Sequence, residues 1–417
     1  MLVMAPAVPK PFRVIAKPAG AVCNLACEYC FYLSKKTLYP ASRFRMSEAV
    51  LDAYLRQVIC PEQGQTVSIL WQGGEPTLMG LDFYRRAVEL AERYCRPGQR
   101  VEHALQTNGT LLTKEWRRFL RAKDFLVGLS VDGPREMHDA YRRDKQGNGT
   151  FDRVMRGMEH LQSADLRFNV LCTVNAANVE HPVDVYRFFR DGCGARFIQF
   201  IPIVARPEGT SCDPGSSTGQ ISAEQWGRFL ISVFDEWLRR DVGRVFVQTF
   251  EAALASWMAA GAPLCVFAEV CGRAIALEHN GDVYSCDHFV DPGHFLGNLA
   301  DRTLAEMVSS DQQVSFGEAK RTGLPEECLR CDVLFACNGE CPKNRFAPAP
   351  DQEAGVNYLC RGYKAFFHHI DGPMRLMAAL VRDGRQAAEI ISIFAAARRN
   401  ERCPCGSGRK AKLCHAG

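Results

Sequence analysis

The chain holds 417 residues, a length that suits roughly two to three domains. Hydrophobic residues make up 47% and charged residues 24%, which excludes long disorder and fibrous repeats. Its 51 basic and 47 acidic side chains leave a net charge of +4, too even a balance to point to nucleic acid as a partner. Cysteine is the outlier, with 19 copies in a chain too large to depend on disulfide staples. No run approaches the ~18–20 apolar residues of a membrane helix. Residues 1–10 lack the basic start and apolar run of a secretory signal, so a reducing, cytoplasmic setting is expected.

In chain order, Phe12 to Ala16 reads as a short buried strand. Ser47 is a good N-cap, and Val50, Leu51, Tyr54, Leu55 and Val58 follow at helical spacing. Further strands are expected at 67–71, 104–106, 125–131, 168–174 and 196–204, with helices at 83–95, 114–121, 154–162 and 183–190 between them. Repeated strand–helix units mean a parallel sheet, doubly wound or closed into a barrel. Residues 207–219 read as a surface loop. Helices are expected at 226–238, 250–258 and 365–398. Asn280-Gly281 predicts the turn of a hairpin.

The cysteines fall into three groups and five isolated residues. Cys60, Cys95, Cys172, Cys193 and Cys212 read as ordinary core thiols. Cys23-x3-Cys27-x2-Cys30 follows the first strand, and three thiolates can hold three irons of a [4Fe–4S] cube, leaving the fourth open. The alternative is zinc, with His103 or His138 as a further ligand. Cys265, Cys271, Cys286, Cys328, Cys331, Cys337, Cys341 and Cys360 supply eight thiolates, enough for two complete clusters. A zinc ribbon would pair two C-x2-C units, and one occurs here. Cys403, Cys405, Cys414 and His415 suit one tetrahedral zinc.

The first group resembles the C-x3-C-x-aromatic-C signature of the radical S-adenosylmethionine superfamily, with Tyr29 at the aromatic position. Gln72-Gly73-Gly74-Glu75-Pro76 is similar to that family's glycine-glycine-glutamate segment, which receives the amino group of the cofactor. The resemblance implies a partial (β/α)6 barrel over residues 1–240. It also implies cofactor contacts from Ser130 and from Arg142 or Arg143.

The later cysteines resemble the SPASM domain of peptide-modifying radical enzymes, expected over residues 241–375. By that resemblance Cys265, Cys271, Cys286 and Cys341 hold one auxiliary [4Fe–4S] cluster, and Cys328, Cys331, Cys337 and Cys360 the other. With the cluster at the first group, three are implied. Cys286-Asp287 and the segments at 30–33, 197–202 and 338–346 resemble the anaerobic sulfatase-maturating enzymes. Such enzymes oxidise a cysteine or serine in a C/S-x-P/A-x-R segment of a sulfatase to Cα-formylglycine. Asp287 is then the catalytic base, and a flavodoxin- or ferredoxin-type carrier exchanges electrons. The alternatives are a SPASM enzyme acting on another ribosomal peptide, and a zinc-stabilised adaptor without catalysis. After a helical linker at 376–398, residues 399–417 resemble the SEC-C zinc motif, which implies a protein contact, for instance with export machinery.

Overall fold

The computed structural model describes residues 11–59, 64–205, 218–349 and 352–413. Helix starts follow local chemistry. The Ser47 hydroxyl accepts a hydrogen bond from the Val50 amide and opens α1 (Glu48–Val58), whose buried face is Leu51, Tyr54, Leu55 and Val58. Strands β1 (Arg13–Lys17), β2 (Thr66–Trp71), β3 (Arg100–Thr107), β4 (Leu126–Ser130), β5 (Phe168–Val174) and β6 (Phe197–Pro202) pair side by side, in parallel and in sequence order. Helices α2 (Leu81–Tyr94), α3 (Lys114–Ala122), α4 (Arg135–Tyr141), α5 (Phe151–Gln162), α6 (Pro182–Arg187) and α7 (Ala223–Arg240) join or follow these strands. This is the expected partial (β/α)6 arrangement.

Burial alternates along the strands and defines an inner face. Leu105, Val127, Leu129, Val170 and Cys172 are fully buried. Their alternates Gln106, Gly128, Ser130, Leu171 and Thr173 are half-buried, lining the interior. The polar residues of this inner set gather at the C-terminal ends of their strands, where ligands sit in such folds.

The sheet does not end with β6. β7 (Phe246–Val247) pairs parallel to β6, and β8 (Ala274–Glu278) pairs parallel to β1. β9 (Asp282–Tyr284) and β10 (Phe295–Asn298) follow antiparallel, which makes one ten-stranded sheet among the described residues. The β8–β9 hairpin turns at Gly281, with φ +95°. The cysteine-rich half thus enters the barrel's own sheet, in a register that sets Glu278 opposite Lys17.

The rest of this half is short elements. They are α8 (Gln248–Trp257), α9 (Leu304–Val308), α10 (Asp311–Thr322), α11 (Glu326–Leu329), α12 (Leu334–Cys337) and the ribbon β11 (Arg345–Ala349) with β12 (Gln352–Asn357). α13 (Cys360–Arg382) then lies along α7, so close that a Cβ on Gly362 would fall 2.0 Å from the Ala223 carbonyl. The single helix expected over 365–398 is broken. α13 ends at Arg382, Gly384 takes φ +72°, and α14 (Ile390–Ala396) is a separate turn of chain.

α4 was not expected, because Arg135–Tyr141 offers few apolar positions at helical spacing. Most of the expected loop at 207–219 lies outside the described residues. Of the five isolated cysteines, Cys172 and Cys193 are core thiols. Cys95 instead is half-buried, its thiol donating to the Gln99 carbonyl at 3.0 Å, and Cys60 and Cys212 lie outside the described residues.

Candidate functional site

The loop after β1 is stitched to the loop after β2. The amides of Gly74 and Glu75 donate to the carbonyls of Gly20 and Val22, each at 2.8 Å. A Cβ on Gly74 would fall 2.0 Å from the Val22 carbonyl, so this glycine is required by the approach of the two loops to each other. Within the loop, the Leu25 amide donates to Cys23 Sγ at 3.3 Å and Asn108 Nδ2 to the same sulfur at 3.7 Å. Burial, with a smaller contribution from the nearby Cys30, pushes the Cys23 thiol up to about 11 and, against the lowering effect of Arg142, Cys27 up to about 12. Cys23 and Cys27, raised in this way, stay protonated until a cation joins them, and with the neighbouring Cys30 they form the donor set an iron cluster needs.

Neither histidine of the zinc alternative is available to this loop. His103 stacks on Phe125 at 4.9 Å and accepts from the Trp71 indole at 3.3 Å. His138 accepts from the Asp132 amide at 3.3 Å and contacts the Thr150 hydroxyl at 3.1 Å.

The expected cofactor contacts surround the loop, with some of their polar atoms already engaged. The buried Glu75 carboxylate accepts from the amides of Thr77 and Asn108 and from the hydroxyls of Thr77 and Thr107, at 2.6 to 3.0 Å. The Glu75 carboxylate is thus fully engaged within the protein. The Tyr29 hydroxyl donates to Asp132 Oδ2 at 2.5 Å. Arg142 is buried, pairs with the same Asp132 oxygen at 2.9 Å and lowers the Cys27 thiol. Arg143 is exposed and bonds the Asp139 carbonyl. Of the two arginines, Arg142 therefore faces the cysteines. Ser130 accepts from Gln106 Nε2 at 3.0 Å on the inner face.

Asp287 sits at the junction of the two halves. Lys17, the last residue of β1 and 1% exposed, lies 3.6 Å from Asp287 Oδ2 and donates to Gln72 Oε1 at 3.0 Å. The same ammonium stands 4.5 Å above the Tyr32 ring, whose hydroxyl bonds Glu278. Burial pushes the Asp287 carboxyl up, yet Lys17, His288 and Lys343 hold it below the ordinary carboxylate range. Sequence reasoning missed Lys17. Its signal was a lone lysine at the end of an apolar strand.

The eight later cysteines separate into two sets of four. Cys265 feels Cys271, and Cys286 feels both Cys341 and Cys265, so these four share one surrounding. Cys328 feels Cys360 and Cys331, and Cys337 feels Cys360 and Cys328. The second four line a common small cavity with Val333, Leu334 and Asn357. Burial pushes Cys328 up to about 11 and Cys337 and Cys341 up to about 12. Among the described residues no three His, Cys, Asp or Glu side chains gather on a single ion-sized point.

The tail folds onto α13. Its chain turns back at an Arg402–Lys410 bridge, and the Cys403 amide donates to the Arg409 carbonyl at 2.7 Å. Cys403 and Cys405 are buried, and a Cβ on Gly372 of α13 would fall 2.2 Å from the Cys405 carbonyl. Cys414 and His415 lie outside the described residues. Among the described residues, no helix is long and apolar enough to cross a membrane.

Residues 18–189 match the radical SAM superfamily, 265–332 an iron-sulfur cluster-binding (SPASM) domain, and 399–417 the SEC-C motif. The serine-type anaerobic sulfatase-maturating enzyme of Bacteroides thetaiotaomicron is 44% identical over 92% of this chain and 95% of its own length. The cysteine-type enzyme of Clostridium perfringens is 32% identical over 86% of this chain and 96% of its own. Among solved structures, native anSMEcpe with bound AdoMet and Kp18Cys peptide superposes with a TM-score of 0.79, at 31% identity, over 88% of this chain and 99% of that one. The chain belongs to the anaerobic sulfatase-maturating enzymes of the radical SAM superfamily.

Proposed function

We propose that the chain oxidises a serine or cysteine within a C/S-x-P/A-x-R segment of a sulfatase polypeptide to Cα-formylglycine. The observation that carries this reading is Asp287, an ionised carboxylate held by Lys17 between the barrel's inner face and the thiol of Cys286. Serine is the favoured substrate, since the serine-type relative is 44% identical and the cysteine-type relative 32%.

Cys23, Cys27 and Cys30 hold the catalytic cluster. The Gly73–Gly74 backbone, Tyr29, Gln72, Glu75, Ser130 and Arg142 form the S-adenosyl-L-methionine site, in which Glu75 and Tyr29 act by fixing the loops. When bound, cofactor and cluster would supply the one-electron chemistry by which a hydrogen atom can leave the substrate Cβ. Asp287 accepts the hydroxyl or thiol proton, and Lys17 fixes its orientation through the shared contact with Gln72. The half-buried inner face limits water around the reacting carbon.

The two four-thiol sets would hold auxiliary [4Fe–4S] clusters, which would supply a path for the second electron toward a flavodoxin- or ferredoxin-type carrier. A reducing cytoplasm suits all of these thiols. Cys403, Cys405, Cys414 and His415 hold zinc, and the basic outer side of the tail is the surface left for a protein contact such as export machinery.

The test is incubation of the anaerobically reconstituted chain with S-adenosyl-L-methionine, dithionite and two peptides, one with serine and one with cysteine at the target position. Mass spectrometry should find two hydrogens lost from the serine peptide, and less conversion of the cysteine peptide. Cofactor cleavage with both peptides intact would overturn the sulfatase reading in favour of another ribosomal peptide. Colourless protein carrying zinc alone would favour the adaptor.

A further inference from the structure

The chain passes from one auxiliary thiol set to the other in three residues. Cys337 belongs to the second set and Cys341 to the first, and Asn338, Gly339 and Glu340 join them. All three take the left-handed backbone conformation, with φ of +47°, +68° and +51°. Asparagine tolerates this region better than glutamate does, and a run of three such residues persists only where the surroundings hold it in place.

Arg345 does so. Its guanidinium donates to the carbonyls of Gly339 at 2.9 Å, Asn338 at 3.1 Å and Glu340 at 3.4 Å, and to the Lys320 carbonyl at 2.6 Å. It acts electrostatically on Cys328 and Cys337 of one set and Cys341 of the other. Lys320 stands beside it. The Lys320 side chain is fully buried, and its ammonium donates to the carbonyls of Cys265 at 2.6 Å and Val266 at 2.8 Å. It acts on Cys265, Cys271 and Cys341. Two cations therefore occupy the space where the thiol sets meet. Burying them is costly unless they face negative charge; the buried Glu340 carboxyl supplies one such charge, and the two thiol sets lie beside this pair of cations.

Four thiolates around a [4Fe–4S] core leave a net negative charge that grows when the cluster takes an electron. A nearby buried cation favours the more negative, reduced form. We propose that Arg345 and Lys320 form a cationic bridge between the two auxiliary sites, which raises their reduction potentials and lets them accept the electron released by the substrate. This rests on the two-cluster reading above. The balance for serine is a hydrogen atom from Cβ to the cofactor-derived radical, a proton from the hydroxyl to Asp287, and one electron to the auxiliary site. A one-electron carrier protein of the flavin or iron-sulfur class then removes that electron.

The test compares holoenzyme carrying Arg345→Met, Arg345→Lys, Lys320→Met or Lys320→Arg with the parent chain. Iron and sulfide are counted, and auxiliary midpoint potentials are read by EPR-monitored titration. The expected result is full iron and near-parent potentials in the charge-keeping variants, and lower potentials for the auxiliary clusters that the Met variants retain, because Met removes both the charge and the hydrogen bonds to the loops. Full iron with unchanged potentials in the Met variants would overturn the proposal. So would auxiliary iron lost equally from the Met and the charge-keeping variants, since the side chains would then serve only to shape the loops. A parent chain with iron for a single cluster would instead overturn the two-cluster reading, and this proposal with it.

Discussion

The loop after β1 and the cysteine-rich half solve one problem in opposite ways. In the loop, three thiols lie within eight residues and are set by backbone hydrogen bonds to a neighbouring loop. In the other half, eight thiols are spread from residue 265 to 360, and buried side chains draw them together. Arg345 gathers one crossover, Lys320 holds the Cys265 segment, and Gln313 ties Gly272 to Ser285 through its amide at 2.7 and 3.0 Å. A site built by backbone is sensitive to added bulk. A site built by buried polar side chains is sensitive to lost partners.

The largest expected effect breaks the first half of this comparison. Gly74→Ala puts a methyl group 2.0 Å from the Val22 carbonyl, closer than carbon and oxygen can approach. The cysteine loop must move, and cofactor cleavage should fall below detection. Iron analysis should show one cluster lost and the auxiliary iron retained. Retention of cleavage would mean that the loops can part without harm.

Asp287→Asn comes next, because it removes the proposed base while leaving both thiol arrangements alone. Peptide oxidation should drop by ~10²–10⁴-fold, the usual worth of a general base. Iron content and cofactor cleavage without peptide should stay at parent values. Full turnover in this variant would take Asp287 out of the reaction.

The same contrast decides how much could be read from the sequence. The barrel was legible because its strands and helices carry local apolar patterns, and the cysteine loop because its spacing is local too. The division of the later cysteines was not, since Cys341 sits four residues from Cys337 yet belongs with Cys265 and Cys271. Only the family resemblance supplied that pairing. Lys17 and Lys320 went unnoticed because a single basic residue carries no pattern, and Arg345 was read only as part of the 338–346 segment, with no role of its own. Their burial follows from distant chain segments closing over them. The choice between Arg142 and Arg143 needed α4, a helix with too few apolar positions to announce itself.

A smaller effect comes from acid. Burial holds His103 and His138, both in the barrel, down to about 4. The unfolded chain takes up these protons near 6.5, so between about 6.5 and 4 it binds more protons than the folded chain, and stability falls as pH falls. Each tenfold difference in proton affinity between the two states is worth roughly 1.4 kcal/mol. Thermal midpoints measured across this range should decline, and His103→Phe, which keeps the ring stack on Phe125, should flatten part of the decline. An equal decline in that variant would assign the acid sensitivity to other groups.

The smallest expected effect concerns the tail. It resembles the cysteine-rich half in being held by tertiary packing, but its partner is a glycine. Cys405 rests on Gly372, so Gly372→Val should lift the tail off α13 without touching any thiol of the iron sites. Since α13 begins at Cys360 of the second thiol set, the tail braces the helix that carries it. Lifting it should cost roughly 1–3 kcal/mol, a drop of a few degrees in Tm. Deleting residues 399–417 should lower Tm by a similar amount and spare peptide oxidation, because the tail touches α13 well away from the inner face. Loss of oxidation in the deletion with Tm unchanged would reverse this order, making the tail part of the catalytic unit.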